Sequence, residues 1–329
     1  MIGNVDELER VVGGRPRTAM LKSITNLDEH CRQFLAASPF AAVTWFADGA
    51  RSAIAGGEPG HLTPLDDRRL LLAMDGGPAP GTALGLVALV PGYGETLRIN
   101  GRMSVTDAST VDVEEAFLHC AKAVVRSQLW TSGIDHPYDR AEMSLDRFLA
   151  SSPFITLGSI DADGHADVSP KGDPPGFVRV LGDDQVFVPD RPGNRRTDTL
   201  HNLLDDPRFG LLALIPGDDR VLELSGTATI TTKRSLLDSA AVNGRVPKAG
   251  ILVTVTHREL RTEPGLVHGR PWDRDRLVPA GMLPAASCIW ADHVRLNQTP
   301  GMLARLARTT ISPKLLEKGI ARDYDKNLY

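Results

Sequence analysis

Short apolar runs of strand length dominate the chain, and polar turns separate them. The clearest runs lie in its second half, at residues 154–160, 178–181, 185–188 and 210–215, and Gly, Pro or Asp residues bound them. Asp161-Ala-Asp-Gly164 has the composition of a turn between two antiparallel strands. The pattern therefore predicts a mainly β barrel or sandwich rather than alternating βαβ units.

Helical segments are fewer, and the pattern predicts them over residues 27–37, 114–129 and 198–205. In the second of these, His119, Lys122 and Arg126 are spaced three and four apart, so a helix would place them on one face. The charged segment 291–329, with scattered leucines, predicts a partly helical C-terminal tail.

Three pairs of segments repeat in the same order along the chain. Phe34-Leu-Ala-Ala-Ser-Pro-Phe40 recurs as Phe148-Leu-Ala-Ser-Ser-Pro-Phe154, Gly85-Leu-Val-Ala-Leu-Val-Pro-Gly92 as Gly210-Leu-Leu-Ala-Leu-Ile-Pro-Gly217, and Thr96-Leu-Arg-Ile-Asn-Gly101 as Val221-Leu-Glu-Leu-Ser-Gly226. We therefore predict a first domain at 1–140 and a second at 141–290, followed by the tail. The second repeat contains a block at 186–200 that the first lacks.

Composition narrows the choice of partners. The 329 residues are 42% hydrophobic and 24% charged, which is typical of a globular protein. The net charge is −4, so the chain as a whole has no positive electrostatic field that would attract nucleic acid or an acidic membrane surface. Cys31, Cys120 and Cys288 lack CxxC spacing, and the nine histidines lack HExxH spacing, so no disulfide or metal site is expected. No apolar leader or span occurs, and a cytoplasmic location is the simplest expectation.

The densest polar signal consists of two segments of the second repeat. They are Asp167-Val-Ser-Pro-Lys-Gly-Asp173 and Pro189-Asp-Arg-Pro-Gly-Asn-Arg-Arg-Thr-Asp-Thr199. The second segment carries Arg191, Arg195 and Arg196 and runs into the helix predicted at 198–205. Helix N-termini and arginine forks both bind phosphate, although a solvated basic loop has the same composition.

These segments resemble the pyridoxamine 5'-phosphate oxidase-like family of FMN-binding split barrels. The resemblance covers residues 148–230, through Ser152-Pro-Phe154, both polar segments and Gly210 to Gly217. It implies a mainly β fold with flanking helices: two tandem FMN-binding split β-barrels that form an intrachain pseudo-dimer. By resemblance, Ser169 and Lys171 lie beside the flavin, and Pro189 and Asp190 pass near its ring. Asn194, Arg195, Arg196 and Thr199 would hold the phosphate.

The first repeat resembles the same family elsewhere, in Glu115-Ala-Phe-Leu-His-Cys-Ala-Lys-Ala-Val-Val-Arg-Ser-Gln-Leu-Trp130. By resemblance, Lys122, Arg126, Ser127 and Trp130 reach the cofactor held by the other copy. The second repeat keeps only Trp272 of this motif, and Pro264 and Gly265 are expected to break its helix. The two losses are complementary, so the hypothesis is one composite FMN site per chain.

The resemblance implies an FMN-dependent oxidoreductase that acts on an unidentified small molecule, with NAD(P)H as a candidate electron donor and the flavin carrying the redox chemistry. No side chain stands out as a general acid or base, and Lys171 is expected to stabilise reduced, anionic flavin. The insertion at 243–247 is expected on the substrate side. A non-catalytic flavin-binding or storage protein and a haem-binding relative remain as alternatives, and the chain is a monomeric pseudo-dimer or a homodimer.

Overall fold

Two antiparallel β-sheets of seven strands each form the body of the protein. The structure, a computed structural model, describes residues 1–72, 74, 76–132, 143–182 and 184–328, with the backbone alone at 325–327. The predicted boundary at 140/141 lies outside these residues.

The first sheet has the spatial order β2-β1-β5-β6-β7-β4-β3. Its strands are β1 (Phe40–Phe46), β2 (Ala50–Gly56), β3 (Thr63–Pro64), β4 (Arg69–Leu71), β5 (Ala83–Leu89), β6 (Thr96–Met103) and β7 (Thr110–His119).

The second sheet has the order β9-β8-β12-β13-β14-β11-β10 when it is followed in the same direction. Its strands are β8 (Phe154–Ile160), β9 (Ala166–Gly172), β10 (Arg179–Val180), β11 (Gln185–Pro189), β12 (Arg208–Leu214), β13 (Arg220–Thr231) and β14 (Gly250–Thr262). Each strand thus takes the place of the strand seven earlier. This identity of topology confirms the duplication that the repeats predict and the tandem split barrels that the resemblance implies.

Eleven α-helices flank the sheets within the described ranges. They are α1 (Val5–Val12), α2 (Arg17–Met20), α3 (Glu29–Ala37), α4 (Lys122–Ser127), α5 (Leu145–Ser151), α6 (Asp198–Asp205), α7 (Arg234–Ser239), α8 (Pro264–Gly269), α9 (Ala286–Leu296), α10 (Met302–Thr310) and α11 (Pro313–Asn327). Helix α6 has the bounds that its pattern predicts. A 3-10 turn, Arg274–Arg276, precedes α9.

Two helix predictions are wrong. Residues 114–119 belong to β7, which continues from the alternating Val111, Asp112 and Val113, and residues 115–119 pair with β6 beyond a β-bulge; only Lys122–Ser127 is helical. Pro264 does not break a helix but begins α8, since the first helical residue needs no N–H partner.

The two domains share a core. Phe40 and Val87 of the first domain pack with Phe154 and Leu212 of the second in one buried cluster. Trp130 and Trp272, which follow the equivalent helices α4 and α8, meet there with ring centroids 5.7 Å apart. The sheets therefore meet as the two halves of a pseudo-dimer.

The chain ends cross between the domains. Leu8 of α1 is buried in the core of the second domain, and Ile2 bridges to Ile230 of β13. Trp290 of α9 is buried in the core of the first domain. The predicted boundary at 290/291 therefore falls inside α9, which packs as part of the first domain. Among the described residues, we find no helix with the length and apolar character needed to cross a bilayer.

Candidate functional site

A cavity of about 340 Å³ lies between the two domains. The first domain lines it from the end of β7 and from α4. The second domain contributes the end of β9, the loop from Pro189 into α6, and the loop after α7. Ten of the twelve predicted site residues lie along it: Lys122, Arg126, Ser169, Lys171, Pro189, Asp190, Asn194, Arg195, Arg196 and Thr199.

The lining is strongly basic, in contrast to the net charge of the chain. It contains nine Lys or Arg residues and two Asp residues, namely Arg98, Lys122, Arg126, Lys171, Arg191, Arg195, Arg196, Arg245, Lys248, Asp190 and Asp198. Several of these cations pair with carboxylates of the chain, as Lys171 does with Asp190 at 3.4 Å. The excess still favours an anionic ligand.

The start of α6 has the features of a phosphate site. Thr197 precedes the helix in a left-handed conformation, and its side chain does not cap the first amides. The Thr199 hydroxyl is buried and has no hydrogen-bond partner among the residues that the structure describes. Asn194 Oδ1 accepts from the amide of Arg196 at 3.0 Å and shapes the turn. Together these groups fit a phosphate, whose oxygens accept from amides and hydroxyls.

Arg196 is already engaged in a cross-link between the domains. Its Nε donates to Asp198 Oδ2 at 2.7 Å, one terminal nitrogen donates to Glu115 Oε1 at 2.8 Å, and the other donates to Ser23. The guanidinium also stacks on Phe117, 3.8 Å from the ring centroid. All three nitrogens therefore have protein partners, and the structure assigns Arg196 a joining role that its motif did not indicate. Its predicted phosphate contact stays a prediction.

Arg195, by contrast, is exposed at the cavity and makes no hydrogen bond to the described part of the chain. Its φ of 58° lies in the left-handed region, which residues other than glycine adopt only rarely. Of the two arginines, Arg195 has the guanidinium that is accessible to a ligand.

Buried charges form the floor of the cavity. Arg98 is 1% exposed and donates to Asp167, while its other terminal nitrogen lies 3.3 Å from His119 Nδ1. Burial, with the nearby positive charge of Arg98, holds the pKa of His119 well below its ordinary value. His119 is therefore neutral at the cavity floor near neutral pH. In the sequence, the signal that could have revealed Arg98 is its position between Leu97 and Ile99, where a charged residue interrupts an apolar strand.

The first-domain wall consists of a strand end followed by a short helix. The predicted single helical face for His119, Lys122 and Arg126 is therefore wrong, because His119 ends β7. The strand-to-helix turn nevertheless brings all three side chains to the cavity. Arg126 donates to the carbonyl of Pro192 and so ties α4 to the loop opposite.

Ser127 and Trp130 lie outside the lining. The Ser127 hydroxyl donates back to carbonyls of its own helix, at 2.8 Å from Ala123 and 3.0 Å from Val124. Trp130 is buried in the shared core, and its Nε1 donates to the Tyr93 carbonyl at 2.8 Å. Both residues support α4 rather than face the cavity.

The C-terminal helix supports the same wall from outside. Lys122 Nζ lies 2.7 Å from Asp323 Oδ2, and the Ala121 amide donates to the Tyr324 hydroxyl at 2.8 Å. Arg126 Nε donates to the carbonyl of Leu328. The tail thus contacts the residues of α4 that face the cavity.

The pseudo-equivalent groove of the first domain has lost this chemistry. The pairing of Phe40 with Gly56 matches that of Phe154 with Gly172, so Ala53 and Ala55 occupy the places of Ser169 and Lys171. The charges at its floor are inverted: Glu223 replaces Arg98, and Arg51 replaces Asp167, with Arg51 Nε 2.9 Å from Glu223 Oε1. This groove therefore has an ion pair with the positions of its acid and base exchanged relative to Arg98 and Asp167.

The fold and the cavity define a tandem split barrel with a basic cleft between its halves. The family model of pyridoxamine 5'-phosphate oxidase matches residues 142–262. The second domain therefore belongs to the pyridoxamine 5'-phosphate oxidase family, and the shared topology extends the split-barrel fold to the first domain.

Solved structures similar to this chain cover about a third of it. HupZ of Group A Streptococcus is 16% identical over 37% of this chain and 95% of its own, with a TM-score of 0.31. An F420 reductase is 16% identical over 36% and 98%, with a TM-score of 0.28. A Clostridium acetobutylicum protein related to general stress protein 26 is 12% identical over 34% and 81%, with a TM-score of 0.25. No curated protein matches the chain.

Proposed function

We propose that this protein is an FMN-dependent oxidoreductase acting on a small molecule, with one composite FMN site per chain. The interdomain cavity supports this proposal most directly. On one side it contains the start of α6 and the Thr199 hydroxyl, which has no hydrogen-bond partner among the described residues. On the other side lie the basic residues Lys122 and Arg126 of the first domain. These residues fit the phosphate of FMN, and when bound the flavin supplies the redox chemistry.

Different residues of the second domain hold the two ends of the cofactor. Thr199, the first amides of α6 and Arg195 hold the phosphate end. Ser169 and Lys171, on β9, lie further along the same cavity and hold the polar edge of the ring system. Lys171 stabilises negative charge that develops there on reduction, as an electrostatic rather than a proton-transferring group.

The first domain orients and covers the ligand. Lys122 and Arg126 face the cavity from α4, and Arg126 holds the loop at Pro192 close to that helix. This contact narrows the space between the domains and excludes water from the cofactor. Lys248 lies in the loop after α7 and is exposed at the cavity. A substrate enters the cavity from the side of this loop.

A titration with FMN and riboflavin tests the proposal. We expect one FMN per chain and binding of riboflavin that is weaker by at least about tenfold, because riboflavin lacks the phosphate that one or more charge-assisted hydrogen bonds would hold. Two FMN per chain, or equal affinity for both ligands, would contradict a single phosphate-binding site.

A non-catalytic flavin-binding protein is the second candidate. The observation that favours it is that the titratable groups at the cavity floor are committed to each other, with His119 neutral beside Arg98 and Asp198 paired with Arg196. Anaerobic addition of NADPH or NADH to the FMN-loaded protein separates the candidates. Bleaching of the flavin band supports the oxidoreductase, and a flavin that stays oxidised with both donors supports the binding protein.

A further inference from the structure

A buried cluster of three different ligand types lies outside the flavin cavity, where α9 packs on the start of α3. Asp28, Cys31 and His293 each point one ligand atom into it, and these atoms all lie within 4.8 Å of one another. Cys31 is 1% exposed and His293 is fully buried. In the sequence, His293 is far from the other two, so no motif spacing revealed the cluster.

The Asp28 carboxylate is fixed by the helix that it caps. Its Oδ1 accepts from the amide of Cys31 at 2.9 Å, as the N-cap of α3. Its Oδ2 is the oxygen closer to His293, at 3.3 Å from Nε2. The cap therefore holds the second oxygen towards the cluster, and the same turn of helix places Cys31 beside it.

The histidine is held in the orientation that a metal ligand requires. Its Nδ1 lies 3.2 Å from the carbonyl of Lys22, and a carbonyl can only accept, so Nδ1 carries the proton. Nε2 faces the Asp28 carboxylate at 3.3 Å, where it forms an ion pair when protonated and offers its lone pair to a metal ion when neutral. A ring nitrogen fixed through its partner nitrogen is the usual support of a metal-bound histidine.

We propose that Asp28, Cys31 and His293 form a zinc-binding site that fastens the C-terminal segment to the first domain. An oxygen, a sulfur and an imidazole nitrogen are together a donor set that suits Zn²⁺. Bond lengths of about 2.0–2.3 Å place tetrahedral ligands about 3.5 Å apart, which a small inward movement of these side chains achieves. A water completes the four ligands.

The charges at the site balance on binding. Zn²⁺ displaces the proton from the Cys31 thiol to solvent, and the thiolate and the Asp28 carboxylate together neutralise the cation. His293 binds as the neutral imidazole. Because α9 leads into α10 and α11, the site would anchor the tail helix that contacts Lys122 and Arg126.

Zinc binding by the full-length protein tests this inference, in three forms: wild type, Cys31→Ala and Cys288→Ala. Cys288 is the matched control, because it is a free cysteine at α9 outside the cluster. After treatment with EDTA and dialysis, each protein competes with a chromophoric chelator for added Zn²⁺. We expect one Zn²⁺ per chain for wild type and Cys288→Ala, and affinity at least about tenfold lower for Cys31→Ala.

Thermal unfolding provides a second readout that depends on neither flavin nor activity. Added Zn²⁺ should raise the midpoint of the wild type and of Cys288→Ala, because a ligand that binds only the folded state stabilises it. The midpoint of Cys31→Ala should not change. A wild type that retains no Zn²⁺, or equal zinc affinity for both variants, would show that Asp28 and His293 form an ion pair only. Neither result bears on the flavin site.

Discussion

Arg195 and Arg196 are adjacent in the sequence but have different surroundings, so their substitution should have different effects. Arg195→Ala removes an accessible guanidinium and should weaken FMN binding roughly tenfold, the scale of one charge-assisted hydrogen bond, without a change in stability. Arg196→Ala leaves Asp198 and Glu115 without their partner and should lower the free energy of unfolding by about 3–5 kcal/mol.

Urea unfolding and FMN titration of both variants check this prediction. Loss of FMN affinity without loss of stability in Arg196→Ala would instead identify Arg196 as a direct phosphate ligand.

Glu95 gives the protein a stability that depends on pH. Burial raises the pKa of this carboxyl from 4.5 to about 7. Below pH 4.5 the group is protonated in both states. Between 4.5 and 7 only the unfolded chain ionises, so the free energy of unfolding falls as pH rises, by about 3 kcal/mol in total.

Glu95→Gln should remove this dependence and make the protein more stable than the wild type at pH 8, while the two proteins remain similar at pH 4.5. Urea unfolding at the two pH values measures the difference. An unchanged pH profile in the variant would assign the dependence to another group.

At the scale of elements, the contact between α11 and α4 joins the tail to the cavity wall. Asp323→Asn removes the carboxylate that holds Lys122. We expect FMN to bind about threefold more weakly, because Lys122 loses one of the contacts that position it, and part of the cost of ordering such a side chain, about 0.5–1.5 kcal/mol, then falls on binding.

Glu317→Gln is the control, since it removes the same charge from an exposed position of α11. Dissociation constants for FMN from both variants decide the outcome. Tighter binding by Asp323→Asn would mean that Asp323 competes with the cofactor for Lys122.

The helices and strands also show which elements the local sequence pattern predicts correctly. Helix α6 and strand β8 have the bounds that their patterns predict. The helix has an apolar face of helical period, and the strand is an apolar run of strand length with Pro153 and Asp161 at its ends. Residues 114–119 do not, since pairing with β6 imposes a strand on a segment whose motif was interpreted as helical. Tertiary pairing overrides local preference there.

At the scale of the molecule, two glycines provide a comparison between the two grooves. A Cβ at Gly172 would lie 2.0 Å from the Ala123 carbonyl oxygen of α4, and a Cβ at Gly56 would lie 2.3 Å from the Gly265 carbonyl oxygen of α8. Both substitutions to alanine force a helix away from its strand and should destabilise the protein to a similar degree.

Only Gly172→Ala moves the wall that carries Lys122 and Arg126, so only this variant should lose FMN affinity. Thermal unfolding measures whether the two variants lose a similar amount of stability, and FMN titration then compares their affinities for the cofactor. Equal loss of FMN affinity in both variants would place cofactor binding in both grooves.

The sequence by itself determined the duplication, the mainly β class and ten of the residues that line the cavity, because repeats, strand-length runs and a contiguous arginine-bearing loop can be read directly from the order of residues. Only the tertiary structure decided that Arg196 joins the domains, that α11 supports α4, and that Asp28, Cys31 and His293 meet. These contacts join residues far apart in the chain, and the packing of the domains and the tail creates them, so no local pattern specifies them.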